Sequence, residues 1–370
     1  MFSHNIVLIG GWPPPSGGVA SHLQDLYYNL RDKTSYKIIV YGSGNFKEEL
    51  PDIKKLFSRQ DHVLLNCFHL TKFLLEVSPH SIIHSHSFLT AHPSLIKLYL
   101  SLFLIKVKKC IWLETIHDET LITRYQSFSI RQKNIYSRIN AHINKLIVIS
   151  PNLESFFLSI GFSKNKIELI NPLLPIDYLQ NKISLITECK SFIQHKKYII
   201  TTSGAFIKDY DIDTIIQAFL NVKNLIPDIG LIILNTSFNN DEEYTKLIKI
   251  LIKRAPNDIK IFQDLPRGET LAIYKETSIF IRGAKVDAFG LSKVEALLMG
   301  AEVVSTKAGI IKFMHLYEYQ NVNSLSCAML QILQGHKKIN NSQNYYRKLA
   351  ADNFRSIINI YKDLINNKSK

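Results

Sequence analysis

Buried strand patterns and amphipathic helix patterns alternate along this chain from one end to the other. Helical spacing is clear, for instance, in the series Val19, Leu23, Leu26 and Leu30. Such alternation predicts parallel sheets covered by helices, because successive parallel strands need a long crossover connection and that crossover is usually a helix. A chain of 370 residues is too long for one ordinary core, so we expect two α/β domains of similar size.

The predicted strands form two groups separated by a Pro-rich break. The first group comprises Asn5–Ile9, Tyr36–Tyr41, Ser81–His84, Cys110–Thr115, Leu146–Ser150 and Lys166–Ile170. The second group comprises Tyr198–Ser203, Gly230–Asn235, Ile259–Phe262, Ile279–Arg282 and Val303–Ser305. The break at residues 171–175, followed by a weakly periodic stretch to about His195, is interpreted as an interdomain hinge. We therefore predict an N-terminal domain at 1–172, a C-terminal domain at 173–345 and a terminal amphipathic helix at 346–370.

Composition favours a folded cytoplasmic protein. Hydrophobic residues make up 46% and charged residues 21% of the chain, which is typical of globular proteins. The longest apolar run, Leu95 to Ile105, contains Lys97 and is too short to span a bilayer, and no signal peptide is expected at Met1. The four cysteines lack CxxC spacing and are expected to be reduced thiols.

A formal net charge of +14 predicts an anionic partner. The lysines are scattered and no nucleic-acid-binding signature accompanies them, so we expect no nucleic acid partner. An anionic membrane surface together with phosphorylated substrates is the preferred interpretation, and the run from Leu95 to Lys109 has the apolar and basic character of an interfacial helix. The alternatives are that the run is a buried helix and that the lysines reflect an AT-rich coding sequence.

Residues 281–309 contain the pattern with the most chemical content. Asp287 precedes a turn at Gly290. Glu295 follows Asp287 with seven residues between them and lies inside a helix-like run. A glycine turn that leads into a helix offers free backbone N–H groups to an anion such as a diphosphate. A carboxylate in the first helical turn can accept hydrogen bonds from two hydroxyl groups. The alternative is that Ser292 to Glu295 is an ordinary capping box.

A second glycine loop follows the first predicted strand. Gly17 and Gly18 precede a helix that carries His22, after a Pro-rich stretch that begins at Gly10-Gly11-Trp12. Glycines at this point allow a phosphate to approach the backbone at the helix N-terminus, although the spacing is not the GxGxxG fingerprint of dinucleotide binding.

Histidines lie at the ends of two other predicted strands. His117 follows the strand that ends at Thr115, and His84 and His86 surround Ser85. Alternate histidines suggest metal ligation, but no third ligand with suitable spacing is evident in the sequence. We therefore prefer structural or acceptor-side roles for His84 and His86 over a zinc site.

The two glycine loops together resemble those of retaining GT-B glycosyltransferases of family 4, in particular enzymes that build bacterial surface polysaccharides such as O-antigen and capsule. The resemblance implies an α/β GT-B fold of two doubly wound, Rossmann-like domains facing a central cleft, with a C-terminal helix that crosses back to the N-terminal domain. It also implies a metal-independent enzyme without a cofactor. The donor would be a nucleotide-sugar, with UDP favoured weakly over GDP. The acceptor would be a polyprenyl-diphosphate-linked oligosaccharide or other glycan at the inner face of the cell membrane.

The resemblance also implies roles for individual residues. The catalytic set would be His117, Asp287 and Arg282. The donor and nucleotide would be bound by Gly17, Gly18, Gly204, Lys208, Phe289, Gly290, Leu291 and Glu295. The acceptor side would include His22 and His86, and no metal ligand is expected.

One family motif is degraded in this chain. Where these enzymes carry an Arg and a Lys that neutralise the donor diphosphate, this sequence has Ala205 at the Arg position and Tyr210 at the Lys position. Arg282 and Lys208 are the replacement cations suggested by position, although Arg282 could equally face solvent. A metal-binding DxD reading of residues 209–211 is rejected in favour of helix capping. The departure leaves a second hypothesis open, namely a catalytically impaired GT-B protein that acts as a binding partner or scaffold.

Overall fold

The computed structural model describes residues 5–13, 17–43, 51–57, 63–88, 95–175, 184–236, 240–335 and 342–366. These residues form two compact units. The first unit comprises Met1–Leu173 together with Ala351–Lys370, and the second comprises Leu174–Ala350. Pro14, Pro15 and Ser16 of the first glycine loop, and part of the predicted hinge at 176–183, lie outside the described residues.

The first unit is built on a seven-stranded sheet with the order β3-β2-β1-β4-β5-β6-β7, and its neighbouring strands are parallel. The strands are β1 (Asn5–Gly11), β2 (Lys37–Ser43), β3 (Ile53–Phe57), β4 (Ile82–His86), β5 (Ile111–Ile116), β6 (Lys145–Val148) and β7 (Ile167–Leu169). The helices are α1 (Gly18–Lys33), α2 (Val63–Glu76), α3 (Leu95–Leu102), α4 (Thr120–Ser127), α5 (Ile130–His142) and α6 (Pro151–Ser159). A single π-helical turn, Phe103–Val107, extends α3.

The second unit is built on a six-stranded parallel sheet with the order β10-β9-β8-β11-β12-β13. Its strands are β8 (Tyr198–Gly204), β9 (Ile229–Asn235), β10 (Ile259–Gln263), β11 (Ile279–Arg282), β12 (Glu302–Ser305) and β13 (His315–Leu316). Its helices are α7 (Thr187–Ile193), α8 (Ile212–Lys223), α9 (Glu242–Ile252), α10 (Arg267–Lys275), α11 (Leu291–Met299) and α12 (Val322–Leu333). The last helix, α13 (Ser342–Asn366), belongs to the second unit up to Ala350 and to the first unit from Ala351.

Successive side chains of the central strands in the first sheet belong to different apolar clusters, one on each face of the sheet. In β1, Ile6 and Leu8 belong to one apolar cluster, whereas Val7 and Ile9 belong to another. Since successive side chains of a strand point to opposite faces, both faces of this sheet are buried. Tyr361 of α13 lies in the cluster that contains Ile6 and Leu8, so the terminal helix contributes to the core of the first unit. The prediction of two doubly wound α/β domains is confirmed.

Two short strands were not predicted. β3 carries consecutive lysines, Lys54 and Lys55, and β13 has only two residues, so neither has the continuous apolar pattern of a buried strand. Both lie at the edge of their sheet, where one side of a strand makes no sheet contact and polar residues are tolerated. No helix among the described residues has both the length and the apolar character needed to cross a membrane.

Each sheet reverses its winding direction at one place. The order changes between β1 and β4 in the first unit and between β8 and β11 in the second. In open α/β sheets, ligands bind beside the carboxyl ends of the strands at such a switch point. A ligand site is therefore expected at the residues that end these four strands, among them His86 in β4 and Arg282 in β11.

Candidate active site

Arg282 connects the two strands at the switch point of the second unit. Its Nη1 donates to the carbonyl of Ser203 in β8 at 2.7 Å, and its Nε donates to Oδ2 of Asp287 at 3.1 Å. The side chains of Arg282 and Asp287 are only 13% and 15% exposed, so the alternative of a solvent-facing Arg282 is wrong. Although burial disfavours its charged form, the Asp287 carboxylate raises the pKa of Arg282. The structure thus places a permanent cation beside the carboxylate predicted to contact the donor sugar.

The turn at Gly290 requires glycine. Its backbone is left-handed, with φ of 80° and ψ of 59°, and Gly290 is the N-cap of α11. A Cβ atom here would lie 2.2 Å from Cε of Lys293, so the lysine side chain would have to move. Leu291 is the first residue of α11, and the carbonyl of the buried Phe289 accepts the backbone N–H of Ile310 at 3.0 Å. The predicted donor-binding turn is therefore tied to the loop that follows β12.

The capping-box alternative is wrong, because Gly290 and not Ser292 caps α11 and no side chain caps this helix. Glu295 lies in the second turn of α11, not in the first as predicted. Its Oε1 accepts hydrogen bonds from Nη2 of Arg267 at 2.6 Å and from Nε at 3.1 Å. The two side chains are 8% and 6% exposed. Glu295 therefore forms a buried ion pair with Arg267, a partner that the sequence analysis did not identify.

Lys293 is a second cation of this site that the sequence analysis missed. Its side chain is fully buried, and its Nζ donates to the carbonyls of Ala308 at 2.5 Å and Ile310 at 2.8 Å. Burial lowers the pKa of Lys293 to about 8, opposed by Asp287 and reinforced by Arg282. A lysine in the first turn of a helix opposes the helix dipole, and that unfavourable placement was a signal available in the sequence.

At the position where the family has a phosphate-binding Lys, this chain places the aromatic ring of Tyr210. The Tyr210 ring lies 4.5 Å from the guanidinium carbon of Arg282, in cation–π geometry. Gly204 is required beside it, since a Cβ atom there would lie 2.8 Å from the Tyr210 ring. Ala205 is buried, whereas Lys208 is exposed. Tyr210 therefore positions Arg282 in place of supplying a charge.

Asp211 of the rejected DxD reading and the nearby Asp213 have structural partners. Asp211 is the N-cap residue of α8, but its side chain makes no cap hydrogen bond and accepts instead from the Tyr317 hydroxyl at 3.1 Å and the Gln320 N–H at 3.0 Å. Asp213 accepts the hydroxyl of Tyr244 at 2.6 Å. Burial raises the pKa of Asp211.

In the first unit, the glycine loop leads into α1 as predicted from its sequence. Gly17 is the N-cap of α1 in an extended conformation, without a side-chain cap and without an acidic residue in the first turn. Gly17 and Gly18 are both exposed, and a Cβ atom at either position would meet nothing within 4 Å. Their backbone N–H groups point out of an uncapped helix N-terminus, which favours an anion.

The histidines of the first unit lie together. His22 on α1, His86 at the end of β4 and His117 just after β5 have ring centroids between 4.7 and 5.3 Å apart. Nδ1 of His86 lies 3.0 Å from Nε2 of His117, and Nδ1 of His22 accepts the backbone N–H of Leu173 at 3.0 Å. Gly10 permits this packing, because a Cβ atom there would lie 3.1 Å from Cβ of His86. The sequence separation of 95 residues between His22 and His117 hid this cluster from motif reasoning.

Burial favours the neutral imidazoles of His117, His86 and the adjacent His84 by lowering the pKa of each. It lowers the pKa of His117 to about 3 and that of His86 well below the ordinary value, with neighbouring histidines adding to the second shift. His84 is stacked on His86 with ring centroids 4.4 Å apart, and burial lowers its pKa to about 3 as well. Both His84 nitrogens are already engaged, Nδ1 with the Tyr361 hydroxyl and Nε2 with the Thr115 hydroxyl, each at 2.7 Å.

Known structures and sequences agree with this architecture. The chain has the fold of sucrose-phosphate synthase from Thermosynechococcus elongatus, with a TM-score of 0.73, 16% identity and coverage of 98% of this chain and 99% of that chain. It is similarly related to Anabaena HepE in complex with UDP and glucose, with a TM-score of 0.72, 15% identity and coverage of 97% and 99%. A glycosyltransferase from Rickettsia africae matches with a TM-score of 0.69, 17% identity and coverage of 99% and 100%. These likenesses establish the GT-B fold.

One protein family matches part of the second unit. Residues 187–315 match the family described as glycosyl transferases group 1, and this stretch contains Arg282, Asp287, Gly290 and Glu295. No curated protein matches the chain significantly in sequence. The fold and the domain match together support a GT-B glycosyltransferase.

Proposed function

We propose that the protein transfers a sugar from a nucleotide-sugar donor to a hydroxyl group of a glycan, with retention of anomeric configuration. The observation that carries this proposal is the group formed by Arg282, Asp287 and the Gly290 turn. It lies at the switch point of the second sheet, within the stretch that matches the glycosyl transferases group 1. UDP is the favoured nucleotide, because HepE, which shares the fold, was solved with UDP and glucose.

Charge stabilisation would be the main contribution of these residues to catalysis. In the reaction, the bond between the sugar C1 and a phosphate oxygen breaks, and a bond between C1 and the acceptor oxygen forms on the same face. The acceptor proton passes to the leaving phosphate, so no protein base is needed. Arg282 and the N–H groups at the start of α11 stabilise the developing diphosphate charge, and Asp287 contacts the transferred sugar. No resident metal or cofactor is part of this proposal.

The direct test is turnover of candidate UDP- and GDP-sugars by the purified protein, with and without a membrane lipid extract. Arg282→Ala should lower kcat by about two to three orders of magnitude, as expected for loss of one preorganised charge stabiliser. Arg254→Ala removes an exposed arginine and is the matched control. Equal loss of activity in both variants, or none in Arg282→Ala, would contradict the assigned role of Arg282.

We further propose that the acceptor is lipid-linked and that the first unit binds an anionic membrane surface, as in surface-polysaccharide synthesis. The supporting feature is an apolar groove of about 680 Å³ on α2, α3 and the following π-helical turn, lined by Leu70, Leu74, Ile96, Tyr99, Leu100, Leu102, Phe103, Lys106 and Val107. Ile96, Tyr99 and Val107 are each more than 60% exposed. Lys106 and Lys109 beside them are exposed as well, which suits a surface that is both apolar and anionic.

One lysine of the predicted interfacial run is turned inward. Lys97 donates to the carbonyl of Phe88 at 2.5 Å, and burial lowers its pKa. Leu98 and Leu100 are buried, so α3 has one core face and one exposed apolar face. The basic contribution to membrane binding is therefore assigned to Lys106 and Lys109 and not to Lys97.

Flotation with vesicles tests this surface. Anionic vesicles should retain the protein, and rising salt should release it as the charges are screened. Ile96→Ser combined with Val107→Ser should abolish retention, whereas Leu225→Ser, which changes an exposed leucine elsewhere, should not. Equal retention by neutral and anionic vesicles would exclude the electrostatic contribution.

The alternative function is a catalytically impaired scaffold, and the observation that favours it is the aromatic ring at Tyr210 in place of a phosphate-binding lysine. The two functions differ in nucleotide binding. A wild-type protein that binds no nucleotide, and gains none when Ala205→Arg and Tyr210→Lys restore the family cations, would refute the enzyme and support the scaffold. Nucleotide binding with turnover would refute the scaffold.

A further inference from the structure

The cluster of His22, His86 and His117 has the composition of a transition-metal site. One ring nitrogen from each histidine lies within 4.8 Å of the corresponding nitrogens of the other two. Three imidazoles without a carboxylate suit Zn²⁺, Co²⁺ or Ni²⁺ better than Mg²⁺ or Ca²⁺, which prefer oxygen ligands. This is the only such cluster found among the residues that the structure describes.

The separations fit a shared ion. Two imidazole nitrogens bound to one tetrahedral Zn²⁺ at about 2.0–2.1 Å are about 3.3 Å apart. Nδ1 of His86 and Nε2 of His117 are already 3.0 Å apart. A rotation of the His22 ring of the size seen between rotamers of one side chain would bring its Nε2 into the same sphere, since the His22 and His117 ring centroids are 4.7 Å apart.

The surroundings show what ligation requires of His22. Its Nδ1 accepts the Leu173 N–H, so the proton of the neutral ring is on Nε2. The rotation that brings Nε2 to the ion must therefore break the Leu173 contact and move that proton to Nδ1. Nε2 of His86 is buried and makes no hydrogen bond with any residue in the described part of the chain. The stacked His84 is held by Tyr361 and Thr115 and cannot ligate, so it acts as a support behind His86.

We propose that His22, His86 and His117 bind one divalent transition-metal ion, with Zn²⁺ as the expected ion and a fourth position open to water or another ligand. Metals bind neutral imidazole, and burial holds His86 and His117 in that form. The site departs from the expectation that the chain binds no metal. One consequence rests on the proposed function: because the metal occupies Nε2 of His117, Zn²⁺ should inhibit sugar transfer.

Metal binding can be measured without donor or acceptor, so its outcome is independent of the proposed function. Chelator-treated protein is titrated with Zn²⁺ by calorimetry and with Co²⁺ by visible absorption, which reports low-coordinate Co²⁺. We expect one ion per chain. His86→Gln and His22→Gln should each weaken Zn²⁺ binding by at least about tenfold, since even an altered outer-shell partner costs that much.

His195→Gln, which changes an exposed histidine, is the matched control and should bind as wild type does. His117→Gln, at a partly exposed position, serves if the buried variants fail to fold, as judged by circular dichroism. Absence of saturable binding to wild type would overturn the proposal. Binding that survives in His117→Gln, or that is lost equally in His195→Gln, would also overturn it.

Discussion

The buried pair of Arg267 and Glu295 gives the sharpest test of how the second unit is held together. Glu295→Leu would leave the Arg267 guanidinium, now only 6% exposed, without the carboxylate that accepts two of its N–H groups. Removing one partner of a buried ion pair typically destabilises a protein by about 3–5 kcal/mol, because an uncompensated charge remains in a low-dielectric site. We expect a loss of that size in the free energy of unfolding.

A double variant separates the ion pair from the packing. Arg267→Met combined with Glu295→Leu replaces both charges by apolar groups, which is often neutral or stabilising for such pairs. Urea unfolding should therefore show the double variant to be more stable than Glu295→Leu alone. If the double variant is as unstable as the single one, the two residues are not energetically coupled and the inference from the geometry fails.

The double variant and Arg267→Met alone test whether Glu295 also binds the ribose. Saturating nucleotide at about one hundred times its Kd should stabilise the wild type by about 2.7 kcal/mol. If Glu295 contacts the ribose, Arg267→Met should keep most of this stabilisation, because Glu295 remains, whereas the double variant should lose it. Equal nucleotide stabilisation of wild type and double variant would assign Glu295 a purely structural role.

Three further outcomes follow from single contacts. Gly290→Ala should destabilise the second unit by more than about 1 kcal/mol, measured by urea unfolding, because the turn is left-handed and Cε of Lys293 would be 2.2 Å from the new Cβ. Tyr361→Phe should cost about 1–3 kcal/mol in the same assay, because a buried nitrogen of His84 loses its partner. In the folded protein the pKa of His84 and of His117 is about 3, below an unfolded value of about 6.5, so the free energy of unfolding is highest above pH 6.5 and falls as the pH drops toward 3. At pH 5.5 each of the two histidines should lower the free energy of unfolding by on the order of 1 kcal/mol. A melting temperature that stays constant from pH 7.5 to 5.5 would contradict this expectation.

Local patterns were enough to predict most of the fold. Continuous apolar runs such as those of β1 and β9 identify buried parallel strands, because both of their faces are covered. The edge strand β3 was not predicted, because Lys54 and Lys55 interrupt its apolar run. The pattern reports burial, and the half-buried lysines of β3 remove it, whereas the edge strands β7 and β10 kept enough apolar residues to be predicted.

The candidate site was predicted mainly where its residues are adjacent in sequence, although Lys293, three residues after Gly290, was missed. Asp287 and Gly290 share one short turn, so their spacing carries geometric information. Arg267 reaches Glu295 from another helix, 28 residues away, and nothing in the local sequence marks it as a partner. Tyr210 was recognised as a lost cation, but its position over Arg282 depends on the pairing of β8 with β11, which sequence spacing does not encode.

The burial of Lys293 connects the missing cations to ligand binding. Around the Gly290 turn, Arg282 is paired with Asp287, so Lys293 adds a charge that no described carboxylate offsets in a salt bridge, at the helix end where the dipole also disfavours it. Its pKa is therefore lowered to about 8, with burial as the main cause.

A diphosphate bound at this turn would favour the charged form of Lys293 and raise that pKa. At pH 8, where about half of the Lys293 side chains are protonated, nucleotide binding should then take up as much as about half a proton per chain. Calorimetry of UDP binding in two buffers with different ionisation enthalpies measures this uptake, and Lys293→Met is the control that should abolish it. Proton uptake that persists in Lys293→Met, or none in wild type that binds UDP, would contradict the coupling of Lys293 protonation to diphosphate binding.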